Sequence, residues 1–265
     1  MYGGGAALTL TKNNSTYNST GGTINGNTCV TIDGTLAAFY GDMISSAGSG
    51  GTITGNTRLV IRNVAASDYD YRIDKYTGTL SGGAESSVGG TRKLEFDNAR
   101  LRGTAFELAA LENFDVITLS GGSDVQLSSL GGASEIELTS SILVAQGDTA
   151  SVNLITMDAT SSLTLTNLTG SEENPIVIRL LGETVDVSKI SITLTGNELE
   201  HGAILENVLI YANGEEYTAA IAWHDRQAGN RNVVVASSFA PVPEPATATL
   251  GLLALAGLAA RRRRK

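Results

Sequence analysis

Residues 21–32 read GGTINGNTCVTI, and residues 50–61 read GGTITGNTRLVI. Eight of the twelve positions are identical, at an offset of 29 residues. Self-similarity at a period of roughly 20–50 residues is the mark of a stacked repeat architecture. Each unit has a Gly-Gly turn, a Thr-Ile step, a Gly-Asn turn and a strand. A degraded third copy, GGTRKLEF, begins at Gly89. Asn27 and Asn56 occupy matching positions, where they can stack as an amide ladder or serve as turn residues that tolerate positive φ.

Beyond residue 100 the repeat fades and the strand grammar persists. Apolar-x-apolar triplets recur, among them Ile117-Thr118-Leu119, Ile136-Glu137-Leu138 and Leu163-Thr164-Leu165. Period-two alternation puts the outer pair inward and the middle residue outward. The triplets are separated by Gly, Ser, Asn and Asp, the usual punctuation between strands. One or two helical turns are expected in 101–111. A single proline, Pro175, precedes residue 241, which suits strands that must donate hydrogen bonds throughout. These features predict an all-β fold, a right-handed parallel β-helix (β-solenoid) over 1–170. A β-sandwich is the alternative, and it would want regular hairpins and a more aromatic core. Residues 171–240 read as a C-terminal β region or cap. Their strands are longer, and Asn213-Gly214 is a hairpin turn signal.

Composition excludes several classes. One cysteine and two histidines give no disulfide framework, no Cys-based zinc site and little material for a His-rich metal centre. Net charge is −9. Five bases lie at the extreme terminus, so residues 1–260 carry 13 bases against 27 acids, or −14. No phosphate-neutralising face can be built from that balance, and nucleic acid is not an expected partner.

The chain ends VPEPATATLGLLALAGLAARRRRK. Pro241, Pro243 and Pro245 enforce an extended linker. Residues 246–260 carry no charge. As a helix they would span about 22 Å at roughly 1.5 Å per residue, with leucine on every face. The basic run Arg261, Arg262, Arg263, Arg264 and Lys265 would then hold the cytoplasmic side. The expected unit is a single hydrophobic C-terminal helix, a short transmembrane anchor over 246–260.

This order of Pro-Glu-Pro, apolar segment and arginine cluster resembles the PEP-CTERM sorting signal. The resemblance covers 241–265. It implies export from a Gram-negative bacterium, transient anchoring in the inner membrane and processing near Pro243, Glu244 and Pro245 by an exosortase. Release or attachment at the cell surface would follow, often in an exopolysaccharide or biofilm setting. The segment MYGGGAALTLTK has neither a basic n-region nor an apolar h-region, so the reading expects an N-terminal signal missing from this chain. The repeats themselves are similar, in composition only, to autotransporter-passenger or adhesin β-helices.

Candidate chemistry is sparse. His224-Asp225-Arg226 lacks a nucleophile motif around it. His201, in Glu198-Leu199-Glu200-His201, lacks a second histidine nearby. Asp68, Asp70 and Asp74 alternate with Tyr69 and Tyr71, and offer either calcium oxygens, a saccharide-stacking face or a plain polar loop. Gly121-Gly122-Ser123-Asp124 breaks the calcium-solenoid pattern. Cys29 reads as a packing or surface residue. The triplets at Asn14, Asn18 and Asn167 match glycosylation sequons and carry little weight in a bacterium. No catalytic, cofactor-binding or metal residue is assigned. The expected function is an exported structural or adhesive surface protein, not an enzyme. Its partners would be an exosortase-type enzyme, the inner membrane, and exopolysaccharide or other surface components. The alternative is a secreted polysaccharide lyase or glycoside hydrolase on the same scaffold.

Overall fold

The computed structural model describes residues 8–11, 23–25, 29–33, 52–56, 58–65, 79–82, 91–146, 151–166, 168–195, 199–224 and 231–238. The four strands β1 (Leu8–Thr11), β3 (Cys29–Asp33), β5 (Arg58–Ala65) and β7 (Lys93–Arg100) stack in parallel. A second parallel sheet of four contains β2 (Thr23–Asn25), β4 (Thr52–Asn56), β6 (Thr79–Gly82) and β8 (Ala110–Glu112). The sequence repeat is the register of both ladders. Thr23 pairs with Thr52, Cys29 with Arg58 and Ile32 with Ile61, all at the 29-residue offset.

After β7 the chain alternates between two walls. One wall holds β9 (Val116–Ser120), β11 (Glu135–Leu138), β13 (Leu154–Asp158), β15 (Ile176–Leu181) and β17 (Ile204–Ala212). The other holds β10 (Asp124–Leu127), β12 (Ile142–Ala145), β14 (Ser162–Leu165) and β16 (Ile192–Thr195). All pairings within each wall are parallel.

The walls are joined at both ends. β18 (Glu215–His224) pairs antiparallel with β17 and with β19 (Arg231–Ser238), and β19 pairs antiparallel with β16. At the other end β7 pairs with β9 along Lys93–Asp97 and with β10 at Arg100. Hydrogen bonding therefore closes twelve strands into a ring, a β-barrel.

This corrects the expected right-handed parallel β-helix with a separate C-terminal cap. An open solenoid ladder would leave the two walls as distinct sheets. Here the antiparallel pair β18–β19 bridges them. The sequence could not separate the two outcomes, because alternation fixes which side chains face inward and leaves closure free. The expected C-terminal helix over 246–260 lies outside the described residues. Among the described residues, no helix is long and apolar enough to cross a membrane. Within 101–111 the chain makes one 3₁₀ turn, Ala105–Leu108, capped by Thr104 Oγ1.

The interior is a packed core. Ile117, Ile136, Ile155, Ile178 and Ile210 stand in register on one wall, all fully buried. Val125, Leu143, Leu163, Ile192 and Val234 do the same on the other. Burying each such side chain stabilises the fold by about 1.5–3 kcal/mol. Outward positions between them carry Thr118, Glu137, Thr156 and Arg179. A membrane-spanning barrel reverses this pattern, with apolar residues outward and polar residues inward.

Corners between the walls are built from residues that accept positive φ. Asn63 (φ 54°) and Asn98 (φ 51°) interrupt β5 and β7. Leu94 and Phe96 are buried, and beyond the corner the buried residue is Ala99, so the inward phase shifts by one residue. Gly121 (φ 64°) turns the next corner, and a Cβ there would lie 2.3 Å from Asp97 Oδ1. Buried Ser123 accepts from the Ala99 N–H at 3.0 Å and donates to the Ser120 carbonyl at 2.6 Å, so its hydroxyl is satisfied. Asp158 then ties two corners together. Its carboxylate accepts from the Ser140 N–H at 2.9 Å, the Thr160 N–H at 3.1 Å and the Ser161 hydroxyl at 2.7 Å.

Candidate functional site

The end of the barrel where β17 turns into β18 carries a groove of about 510 Å³. Its elements follow from local sequence. Asn213 (φ 55°) and Gly214 (φ 77°) form the two-residue link between β17 and β18, the conformation that Asn-Gly favours in a hairpin. The Asn213 side chain does a second job. Its Oδ1 accepts from the Val185 N–H at 2.7 Å and its Nδ2 donates to the Val185 carbonyl at 2.8 Å. This pair fastens the loop after β15 to the hairpin, so the groove is formed without a ligand.

Parallel register between β15 and β17 sets Arg179 directly beside Tyr211. Both face outward, because Ile178 and Ile210 beside them are buried. Tyr211 is 37% exposed and Leu181 is 47% exposed. The Tyr211 hydroxyl donates to Glu216 Oε2 at 2.5 Å. That hydrogen bond, with desolvation and the charge of Glu216, raises the Tyr211 pKa, while Arg179 lowers it slightly. The phenol therefore stays protonated and its ring is fixed. Within the described residues the Arg179 and Glu183 side chains make no hydrogen bond or ion pair. The groove thus combines an aromatic face, an aliphatic side chain, a cation and a carboxylate.

The residues singled out from sequence lie elsewhere. His224 ends β18 opposite Arg231, and Asp225 and Arg226 lie outside the described residues. His201 is exposed in the loop before β17. Asp68, Tyr69, Asp70, Tyr71 and Asp74 are outside the described residues, as are Asn14, Asn18, Asn27 and Asn167. Cys29 opens β3 beside Arg58. Asp124 pairs with Arg102 at 2.6 Å. Among the described residues, no group of three or more His, Cys, Asp or Glu is placed to hold a metal ion.

Sequence reasoning missed the groove. Arg179 and Tyr211 are 32 positions apart, and only strand register brings them together. A usable signal was present: Tyr211 takes an outward position of an alternating strand immediately before Asn213-Gly214.

The sorting signal residues Pro243, Glu244 and Pro245, and the basic residues Arg261 to Lys265, lie outside the described residues. Pro243 lies five residues beyond the end of β19 at Ser238. Comparison with curated proteins and with solved structures gives no match to the chain. Residues 241–265 match the family model of the PEP-CTERM protein-sorting motif. The motif implies an exported protein, sorted to the cell surface through a membrane-associated exosortase system.

Proposed function

We propose that this chain is a non-enzymatic structural or adhesive protein of a Gram-negative cell surface or its extracellular matrix. On this reading, residues 246–260 hold the chain in the inner membrane during export. Arg261 to Lys265 keep the end cytoplasmic. An exosortase-type enzyme then cuts near Pro243, Glu244 and Pro245, and the body is released or attached at the surface. The observation that carries the reading is the sorting motif over 241–265, which begins three residues after the last described strand ends. The body supports it in two ways. Outward positions such as Thr118, Glu137, Thr156 and Arg179 are polar, and its net acidity favours solubility of a displayed domain. Exopolysaccharide or other surface components are the proposed partners.

Fractionation of cells expressing the native chain and a Glu244→Ala, Pro245→Ala double variant tests the reading. The native protein should reach the surface or medium in a shortened form. The variant should accumulate in the inner membrane at full length. Equal processing of both would overturn the assignment of these residues.

A further inference from the structure

We propose that the groove between β15, β17 and the Asn213–Gly214 turn is a binding site for a neutral oligosaccharide. The proposal rests on the surface-protein reading only for its biological setting, since binding is a property of the barrel.

A sugar ring is amphipathic. It has a C–H face and a rim of hydroxyl groups, each of which donates and accepts. The groove supplies matching partners for both. Tyr211 and Leu181 present exposed apolar surface, to which a C–H face can pack with the phenol edge kept polar. Arg179 offers donors only and Glu183 acceptors only. A sugar's hydroxyls can meet either group, since each hydroxyl both donates and accepts. A simple anion would be served by Arg179 and opposed by Glu183 and Glu216, and a simple cation the reverse. The lining therefore selects neutral hydroxyl-rich chemistry over either charge.

The groove is also fixed in advance, which lowers the entropic cost of binding. Asn213 fastens the floor through Val185 on two hydrogen bonds. Gly182, at φ 142°, makes the bend at the groove's edge, where a Cβ would press on Val185 Cγ2 at 3.0 Å. Glu216 holds the Tyr211 ring through its hydroxyl. The volume is of the order that accepts two or three sugar units, within the roughly 300–1,000 Å³ typical of ligand sites.

The test uses the full chain in a polyoxyethylene detergent, because glycoside detergents would compete. Cellohexaose, laminarihexaose and maltohexaose are the probes, and a galacturonate oligomer is the acidic control, read by saturation-transfer NMR and titration. At least one neutral hexasaccharide should bind with a dissociation constant between about 0.1 and 5 mM. Tyr211→Ala should weaken it about tenfold or more, and Tyr211→Phe by less than about threefold. Arg179→Ala and Glu183→Gln should each weaken it measurably, with the thermal midpoint unchanged. Absence of binding by all three at about 10 mM, an unchanged affinity in Tyr211→Ala, or preference for the acidic oligomer would overturn the proposal. None of these outcomes depends on export. A failure of tail processing therefore leaves the site standing, and loss of binding leaves the sorting reading untouched.

Discussion

Asn98 Nδ2 donates to Asn63 Oδ1 at 3.1 Å. The two residues lie at equivalent corners of β5 and β7, and both have positive φ. The contact is a short side-chain amide ladder, and it sits where the strands bend from one wall toward the other. That bend lets β7 pair with both β9 and β10, and this double pairing closes the ring.

Asn98→Ala would lose the ladder bond and put a residue less tolerant of left-handed backbone than asparagine at φ 51°. The expected destabilisation is about 1–3 kcal/mol, read by chemical denaturation. Asn98→Gly adopts this backbone without steric cost and should recover part of that loss. If Asn98→Ala matches the native stability, the corner does not depend on this residue.

Gly131 and Gly132 separate steric crowding from backbone strain. Both have positive φ, at 60° and 84°. A Cβ on Gly131 would lie 2.7 Å from the Leu111 carbonyl carbon, whereas one on Gly132 meets nothing within 4 Å. Gly132→Ala should cost about 1–2 kcal/mol, the strain alone. Gly131→Ala should cost clearly more, because β8 must move. Equal midpoints for the two variants would contradict the close stacking of residue 131 on β8.

The interior isoleucine row offers a direct reading of the core. Ile155 is fully buried between Ile136 and Ile178. Ile155→Ala should cost about 2–5 kcal/mol and Ile155→Val about 0.5–1.5 kcal/mol. Thr156→Ala, on the outward face of the same strand, should stay within about 0.5 kcal/mol. Thermal or chemical unfolding of the three variants checks the inward and outward assignment.

Asp115 and Asp158 contribute to the acid limb of stability. The side-chain hydrogen bond from Arg92 is the main cause that holds Asp115 below 3.8, and it outweighs burial. At Asp158 burial pushes upward, and hydrogen bonds from Ser161, Thr160 and the Ser140 and Thr160 N–H groups overcome it. Both folded pKa values lie below the unfolded ones, so the unfolded state binds protons first as pH falls. Their contribution is complete above the unfolded pKa and is lost as pH falls through the folded pKa. Stability should hold from pH 7 toward about pH 5 and decline below about pH 4. Asp158→Asn should flatten that decline, and a decline of unchanged steepness would remove Asp158 from the account.

Much of the fold was legible in the sequence because alternation and repetition are written residue by residue. The 29-residue offset is the register at Cys29 and Arg58, and Asn213-Gly214 is the link between β17 and β18. Closure was not legible. It rests on β7 pairing with both β9 and β10 and on β19 pairing antiparallel with β16 rather than continuing a parallel ladder. The amide ladder expected at Asn27 and Asn56 falls partly outside the described residues, and the described ladder occurs at Asn63 and Asn98. The groove was hidden for a related reason. Arg179, Glu183 and Tyr211 are unremarkable singly, and their meaning lies in the pairing of β15 with β17. The tail is the opposite case, since its Pro-Glu-Pro, apolar and basic parts are contiguous and need no fold to be read.

The most direct measurement of the central claim is the intact mass of the protein recovered from the surface or medium of cells that produce it. The account predicts a C-terminus at or near Pro243–Pro245, with residues 246–265 removed. A mass that retains the chain through Lys265 would contradict it and make the tail a permanent anchor.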